Sequence, residues 1–110
     1  MIERRNHPRV EVSHPVLYFT DLYPRPKVGS TIDLSLGGTR IETPHNLISG
    51  ETLEISIAIH PQVIKCRAKV VYASQVRGER LKVGVRFEEM SKQDQHYLED
   101  YISHIMQRQT

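Results

Sequence analysis

The sequence predicts an all-β-dominated domain, a small antiparallel barrel or sandwich of about six strands with one helix at its C-terminal end. Three observations carry that expectation. Apolar and polar residues alternate strictly through the middle of the chain, turn-forming residues separate the alternating runs, and the hydrophobic period changes near residue 91. A length of 110 residues agrees, because it supports one core but is too short for two.

Weaker strand patterns come first along the chain, over Val16–Thr20, Val28–Leu34 and Thr39–Thr43. Stronger ones set Leu53, Ile55, Ile57 and Ile59 against Glu54, Ser56, Ala58 and His60, then Ile64, Cys66, Ala68 and Val70 against Lys65, Arg67 and Lys69. The last sets Leu81, Val83, Val85 and Phe87 against Lys82, Gly84, Arg86 and Glu88. Period-2 alternation gives each strand one buried and one wet face, which favours antiparallel pairing. Tyr23-Pro24-Arg25-Pro26, Leu36-Gly37-Gly38, Ser49-Gly50 and Arg77-Gly78 supply turns. Ser91 and Asp94 then resemble an N-cap with an acidic N3 residue. Tyr97, Leu98, Tyr101, Ile102, Ile105 and Met106 come next at helical spacing. This stripe is expected to pack on one end of the β unit, with helix-mediated dimerisation as the alternative. The chain therefore divides into a flexible basic arm over 1–12, a β unit over 13–89 and a helix over 91–109, all within one domain spanning 1–110.

Composition excludes several classes. Hydrophobic residues make up 38% and charged residues 25%, an ordinary globular balance. Lone Cys66 supports neither an internal disulfide framework nor a thiolate zinc site, so a reducing compartment is expected. No apolar run is long enough for a membrane span, and the polar start does not read as a secretory signal. The expectation is a cytoplasmic protein without membrane insertion. Fifteen basic against thirteen acidic residues leave a net charge of +2, too little for bulk nucleic-acid binding, so no DNA or RNA partner is expected. The excess is local. Arg4, Arg5 and Arg9 face only Glu3 in the first ten residues, and the other hundred residues balance.

Catalytic signatures are lacking. The six histidines are scattered with no H-E-x-x-H spacing, Ser35 is outside any G-x-S-x-G elbow, and neither a Walker A nor a G-x-G-x-x-G run occurs. The reading is a non-enzyme without metal or cofactor. An oligonucleotide binder of the OB type is disfavoured too, since only seven aromatics and no Trp are present, two of them on the helix.

Two constellations remain. Arg4-Arg5-Asn6-His7-Pro8-Arg9 places three guanidiniums on a segment that Pro8 keeps out of a helix. Such forks pair with phosphate oxygens and with guanine O6 and N7, or simply form a solvated terminus. In Asp33-Leu34-Ser35-Leu36-Gly37-Gly38, followed by Thr39-Arg40, the glycines permit a positive-φ turn. That turn would expose a carboxylate, a hydroxyl and bare backbone together, or Asp33 and Ser35 would merely brace it. Arg40 reads foremost as a solvated strand residue, the alternative being that it points outward beside this same turn.

Arg5 and Arg9 form R-x-x-x-R, and Asp33, Ser35 and Gly38 form D-x-S-x-x-G. In this order within an alternating chain that ends Gly84-Val85-Arg86-Phe87 and a helix, they resemble the PilZ domain family over residues 3–108. The resemblance implies a six-stranded antiparallel barrel with a C-terminal helix and the ligand cyclic di-GMP. It implies that Arg5 and Arg9 engage phosphate and guanine, that Asp33 and Ser35 meet base and ribose, and that Gly38 keeps the turn. Arg4, directly ahead of the motif, adds a cation that favours two ligand molecules per domain. The expected output is an arm ordered by ligand that signals to an effector on another polypeptide, in motility or biofilm regulation. The alternative is a PilZ-like adaptor that docks a protein without binding the nucleotide.

Overall fold

Alternation sets the inward face of every strand. In the computed structural model, which describes residues 7–21, 25–75, 78 and 80–108, the chain forms β1 (Pro15–Thr20), β2 (Lys27–Leu34), β3 (Gly38–Thr43), β4 (Thr52–Ile59), β5 (Gln62–Gln75), β6 (Leu81–Met90) and α1 (Lys92–Arg108). All pairings are antiparallel, and the order β1-β2-β3-β6-β5-β4 closes on itself through β4 and β1. The barrel, rather than a sandwich, is the observed architecture. Closure gives every strand two neighbours. The turn over 23–26 and the Arg77-Gly78 turn lie partly outside the described residues.

Most residues expected inside are inside, with Leu81 and Phe87 of β6 only partly buried. Leu53, Ile55, Ile57 and Ile59 of β4 meet Ile64, Cys66, Ala68 and Val70 of β5, with Val16, Tyr18, Ile41, Val83 and Val85 completing the lining. Tyr18 is wholly buried because its hydroxyl has a partner in Thr43 Oγ1 at 2.8 Å. Burial also pushes the Cys66 thiol up to about 12, so it is an inert core residue at neutral pH.

Three register shifts interrupt this regular barrel, one of them between Arg67 and Ala68 in the β5–β6 pairing. The β2–β3 register shifts between Thr31 and Asp33, and the β5–β6 register shifts between Val70 and Tyr72. Each bulge adds a residue and reverses which face the next side chains occupy. Thr31 and Val70 point into the core, whereas Asp33 pairs with outward Arg40 and Tyr72 pairs with Gly84.

Helix α1 closes one end of the barrel. Ser91 Oγ accepts from the Asp94 N–H at 3.1 Å, as an N-cap does. The reciprocal half of a capping box does not form, because the Asp94 carboxylate accepts instead from the Lys65 N–H of β5 at 3.0 Å. Leu98 and Ile102 are buried, Tyr97, Tyr101 and Ile105 pack partly against the core, and Met106 is exposed. Tyr97 donates its hydroxyl to the Ile59 carbonyl at 2.6 Å, tying the helix to the β4–β5 turn. Most of the stripe packs on its own barrel, as expected. No helix among the described residues is long and apolar enough to cross a membrane.

Candidate functional site

The segment ahead of β1 is fastened before the barrel begins. Val10 and Leu34 exchange both backbone hydrogen bonds, at 3.0 and 2.9 Å, and Val10 is buried. Residues 10–12 therefore belong to the packed structure, because Val10 completes the core beside β2 and Val12 packs against it. Farther on, the His14 N–H donates to Thr31 Oγ1, and His14 Nε2 lies 2.7 Å from the Tyr101 hydroxyl of α1. This track carries Arg9 onto the outer face of β2.

There Asp33 gathers the charges. Its Oδ1 accepts from Arg9 Nη1 at 3.0 Å and from the Arg40 N–H at 3.2 Å. Its Oδ2 takes Nε and Nη2 of Arg40. The Asp33 side chain is only 2% exposed, while Arg9 keeps 54% and Arg40 32%. A buried carboxylate thus sits under two partly exposed guanidiniums. Asp33 raises the Arg40 pKa above its ordinary value, chiefly through the hydrogen bond, and the Tyr72 hydroxyl adds to it.

The β2–β3 turn behaves differently from its sequence expectation. Ser35 is buried, and its Oγ accepts from the Gly37 and Gly38 N–H groups and donates to the Gly38 carbonyl, each at 3.2 Å. Carboxylate and hydroxyl are therefore packed away rather than displayed side by side. Neither Gly37 nor Gly38 has the expected positive φ; among the described glycines Gly50 and Gly78 do. Gly38 is needed for clearance instead. A Cβ there would stand 2.1 Å from the Val85 carbonyl oxygen of β6. The pairing of Gly38 with Arg86, and the Phe87 N–H bond to the Gly37 carbonyl at 2.9 Å, draw the turn against β6 that closely.

Of the residues the motifs single out, Arg9, Asp33, Ser35 and Gly38 come together at one end of the barrel. Arg4 and Arg5 lie outside the described residues. Arg40, discounted in the sequence as solvated, is the principal partner of Asp33. Only the bulge at Thr31/Asp33 puts the two side chains in one row, and period-2 counting does not see it.

The PilZ domain sequence profile matches residues 3–104. This chain belongs to the PilZ domain family. No curated protein matches the chain in sequence. Among solved structures, the Bacillus subtilis inhibitor of motility (MotI/DgrA) superposes with a TM-score of 0.82 at 21% identity, covering 97% of this chain and 53% of that one. The PilZ domain with c-di-GMP of YcgR from Escherichia coli gives 0.76 at 18%, covering 96% and 94%. MrkH of K. pneumonia in its apo state gives 0.79 at 14%, covering 98% and 53%. At such identities the likeness is one of fold. This PilZ chain spans about half the length of MotI and MrkH, and nearly all of the isolated YcgR domain.

Proposed function

We propose that this PilZ domain is a receptor for cyclic di-GMP, and that Arg9 and Asp33 are central to its site. The observation that carries the reading is the buried Asp33 carboxylate capped by Arg9 and Arg40 on the face that the N-terminal segment crosses. PilZ domains are ligand-binding regulatory domains, and the YcgR relative holds this nucleotide.

The chemistry is an exchange of partners. Guanine offers paired N–H donors at N1 and N2 that a carboxylate accepts as well as it accepts a guanidinium. When guanine takes an Asp33 oxygen, the displaced guanidinium is left beside a phosphate, so each charge keeps a partner. Charge-assisted bonds of this kind contribute about 1.5–3 kcal/mol each. Ordering backbone costs about 1–2 kcal/mol per residue, so an arm that is gathered in consumes part of that gain. A Kd near micromolar, about −8 kcal/mol, is the expected balance. Ser35 and Gly38 act by holding the turn that positions Asp33.

Arg4 and Arg5 join Arg9 on the ligand, and two molecules bind per domain, whose four negative charges the three arginines share. The surface completed by the gathered arm is what an effector protein reads, an order–disorder output without catalysis. Isothermal titration calorimetry tests each part. Cyclic di-GMP binds wild type at about two per chain, and Arg9→Ala or Arg5→Ala loses detectable binding with an unchanged far-UV circular dichroism spectrum. Saturation at one per chain removes the two-ligand reading. Retained affinity in either variant removes the assignment of the arginines.

A further inference from the structure

A pocket of about 270 Å³ opens where the segment ahead of β1, the β2–β3 turn, the end of β6 and α1 meet. Leu36, Phe87 and Met90, each packed against the core, give it an apolar floor. Glu88 and Glu89 of β6 and Glu99 of α1 stand around that floor, and no Lys or Arg among the described residues lines it. Glu88 already holds Arg86 at 3.3 Å and Glu89 holds Arg67 at 2.8 Å. Glu99 has no cationic partner among the described residues.

Two independent observations mark this pocket as one that takes an occupant. The first is the register shift between Arg67 and Ala68. Arg67 pairs with Glu89 and Ala68 with Phe87, which makes Glu88 the extra residue of β6. A bulge of this kind re-aims a side chain and is common beside functional sites. The second is His7, which lines the pocket from the segment ahead of β1. Its Nδ1 is buried and has no hydrogen-bond partner among the described residues, although buried polar atoms are nearly always paired. Carboxylates line the same pocket and none of them accepts from this nitrogen, so what it lacks is a donor.

We propose that this pocket receives an arginine side chain from a basic segment of the effector protein. Charge, floor and missing donor select the same group. A guanidinium carries five N–H donors and no acceptor, so it serves His7 Nδ1 and a carboxylate such as Glu99 together. Its methylene stem suits the apolar floor, and its plane stacks well on an aromatic ring such as Phe87. Arginine is also a frequent anchor at the centre of protein interfaces. The inference rests on the reading of this domain as a cyclic di-GMP receptor read by an effector, and it supplies the chemistry of that effector. His7 stands two residues ahead of Arg9, Leu36 lies within the turn that Ser35 holds, and Glu88 is tied to Arg86, which pairs with Gly38. A ligand that fixes Arg9 therefore also fixes the pocket wall at His7.

Nuclear magnetic resonance on the whole chain tests the proposal, with a blocked, arginine-containing hexapeptide as the probe and its glutamate counterpart as control. With cyclic di-GMP present, the arginine peptide shifts the backbone amides of Leu36, Phe87, Met90 and Glu99 and the Nδ1 resonance of His7, and the glutamate peptide shifts none of them. Without the nucleotide the arginine peptide binds about fivefold or more weakly. Glu99→Lys weakens the peptide about fivefold or more, whereas Asp100→Lys, the same charge change one residue along α1, stays within about twofold. Both variants bind cyclic di-GMP as wild type does, so a loss at the peptide is not a loss of fold. If the chain binds cyclic di-GMP but the arginine peptide moves none of these signals, or binds Glu99→Lys unchanged, the pocket assignment is overturned and the receptor reading stands. Pocket signals that move with protein concentration alone assign the pocket to a second copy of the chain and overturn it as well. If the chain takes no cyclic di-GMP, the receptor reading falls, and the peptide titration still decides the pocket.

Discussion

Asp33 shows what one carboxylate does when it is buried beneath two half-exposed guanidiniums. Each arginine is oriented by the acid yet stays partly exposed, so the acid organises cations for a ligand it need not touch first. Gly38 has a separate steric duty. Gly38→Ala is expected to destabilise the fold by about 1–3 kcal/mol, since backbone rather than a flexible side chain meets the new methyl. Urea unfolding measures it, and a wild-type midpoint would refute the clearance argument. Cys66, with its thiol pushed up to about 12 in the core, should resist alkylation in native protein at pH 7 and react once urea unfolds the chain. Rapid native labelling would contradict that burial. Motif spacing locates Gly38 but not its reason, because a turn glycine and a clearance glycine look the same until β6 is in place.

At the scale of elements, α1 and the segment ahead of β1 hold one another. Ser91→Ala should lower stability by about 1 kcal/mol through loss of the N-cap, seen as a Tm lower by about 4 °C. His14 contributes a pH dependence. Burial holds its pKa below the ordinary 6.5 beside the Tyr101 hydroxyl. The unfolded chain then takes up the proton first as pH falls, so the stability of the neutral contact is whole above pH 6.5. It is lost as pH falls from 6.5 through the lowered folded value. Wild type should lose more stability between pH 7 and 5 than His14→Gln, as urea unfolding across that range would show; equal losses would exclude the histidine. Strands β4, β5 and β6 are legible in the sequence because Leu53 to Ile59 and their partners alternate without interruption. The bulges at Thr31/Asp33 and Val70/Tyr72 are not, since a register shift depends on the neighbouring strand. Period-2 counting therefore takes Arg40 for a solvated residue and passes over Tyr72. The capping pattern at Ser91 is half legible: the cap forms, but Asp94 turns to Lys65 because β5 brings a free N–H within reach.

Over the whole molecule, a closed barrel supplies a rigid wall on which charge is placed unevenly. The net +2 is small, yet Arg9 of the basic first ten residues lies over Asp33, with Arg40, Lys69 and Arg86 on the adjoining outer strands. That placement favours one compact anion over a long polyanion. The overall fold is legible to the level of strand count and helix position, because alternation and period are local properties. The choice of barrel over sandwich is not, since closure depends on which strands find each other. Thermal unfolding with added nucleotide puts the central claim to the most direct test. Cyclic di-GMP at about 100 times its Kd should add about 2.7 kcal/mol for the first molecule bound, a rise in Tm of about 10 °C or more, while GTP and cyclic di-AMP at the same concentration leave Tm where it is. No shift with cyclic di-GMP, or equal shifts with all three, would contradict it.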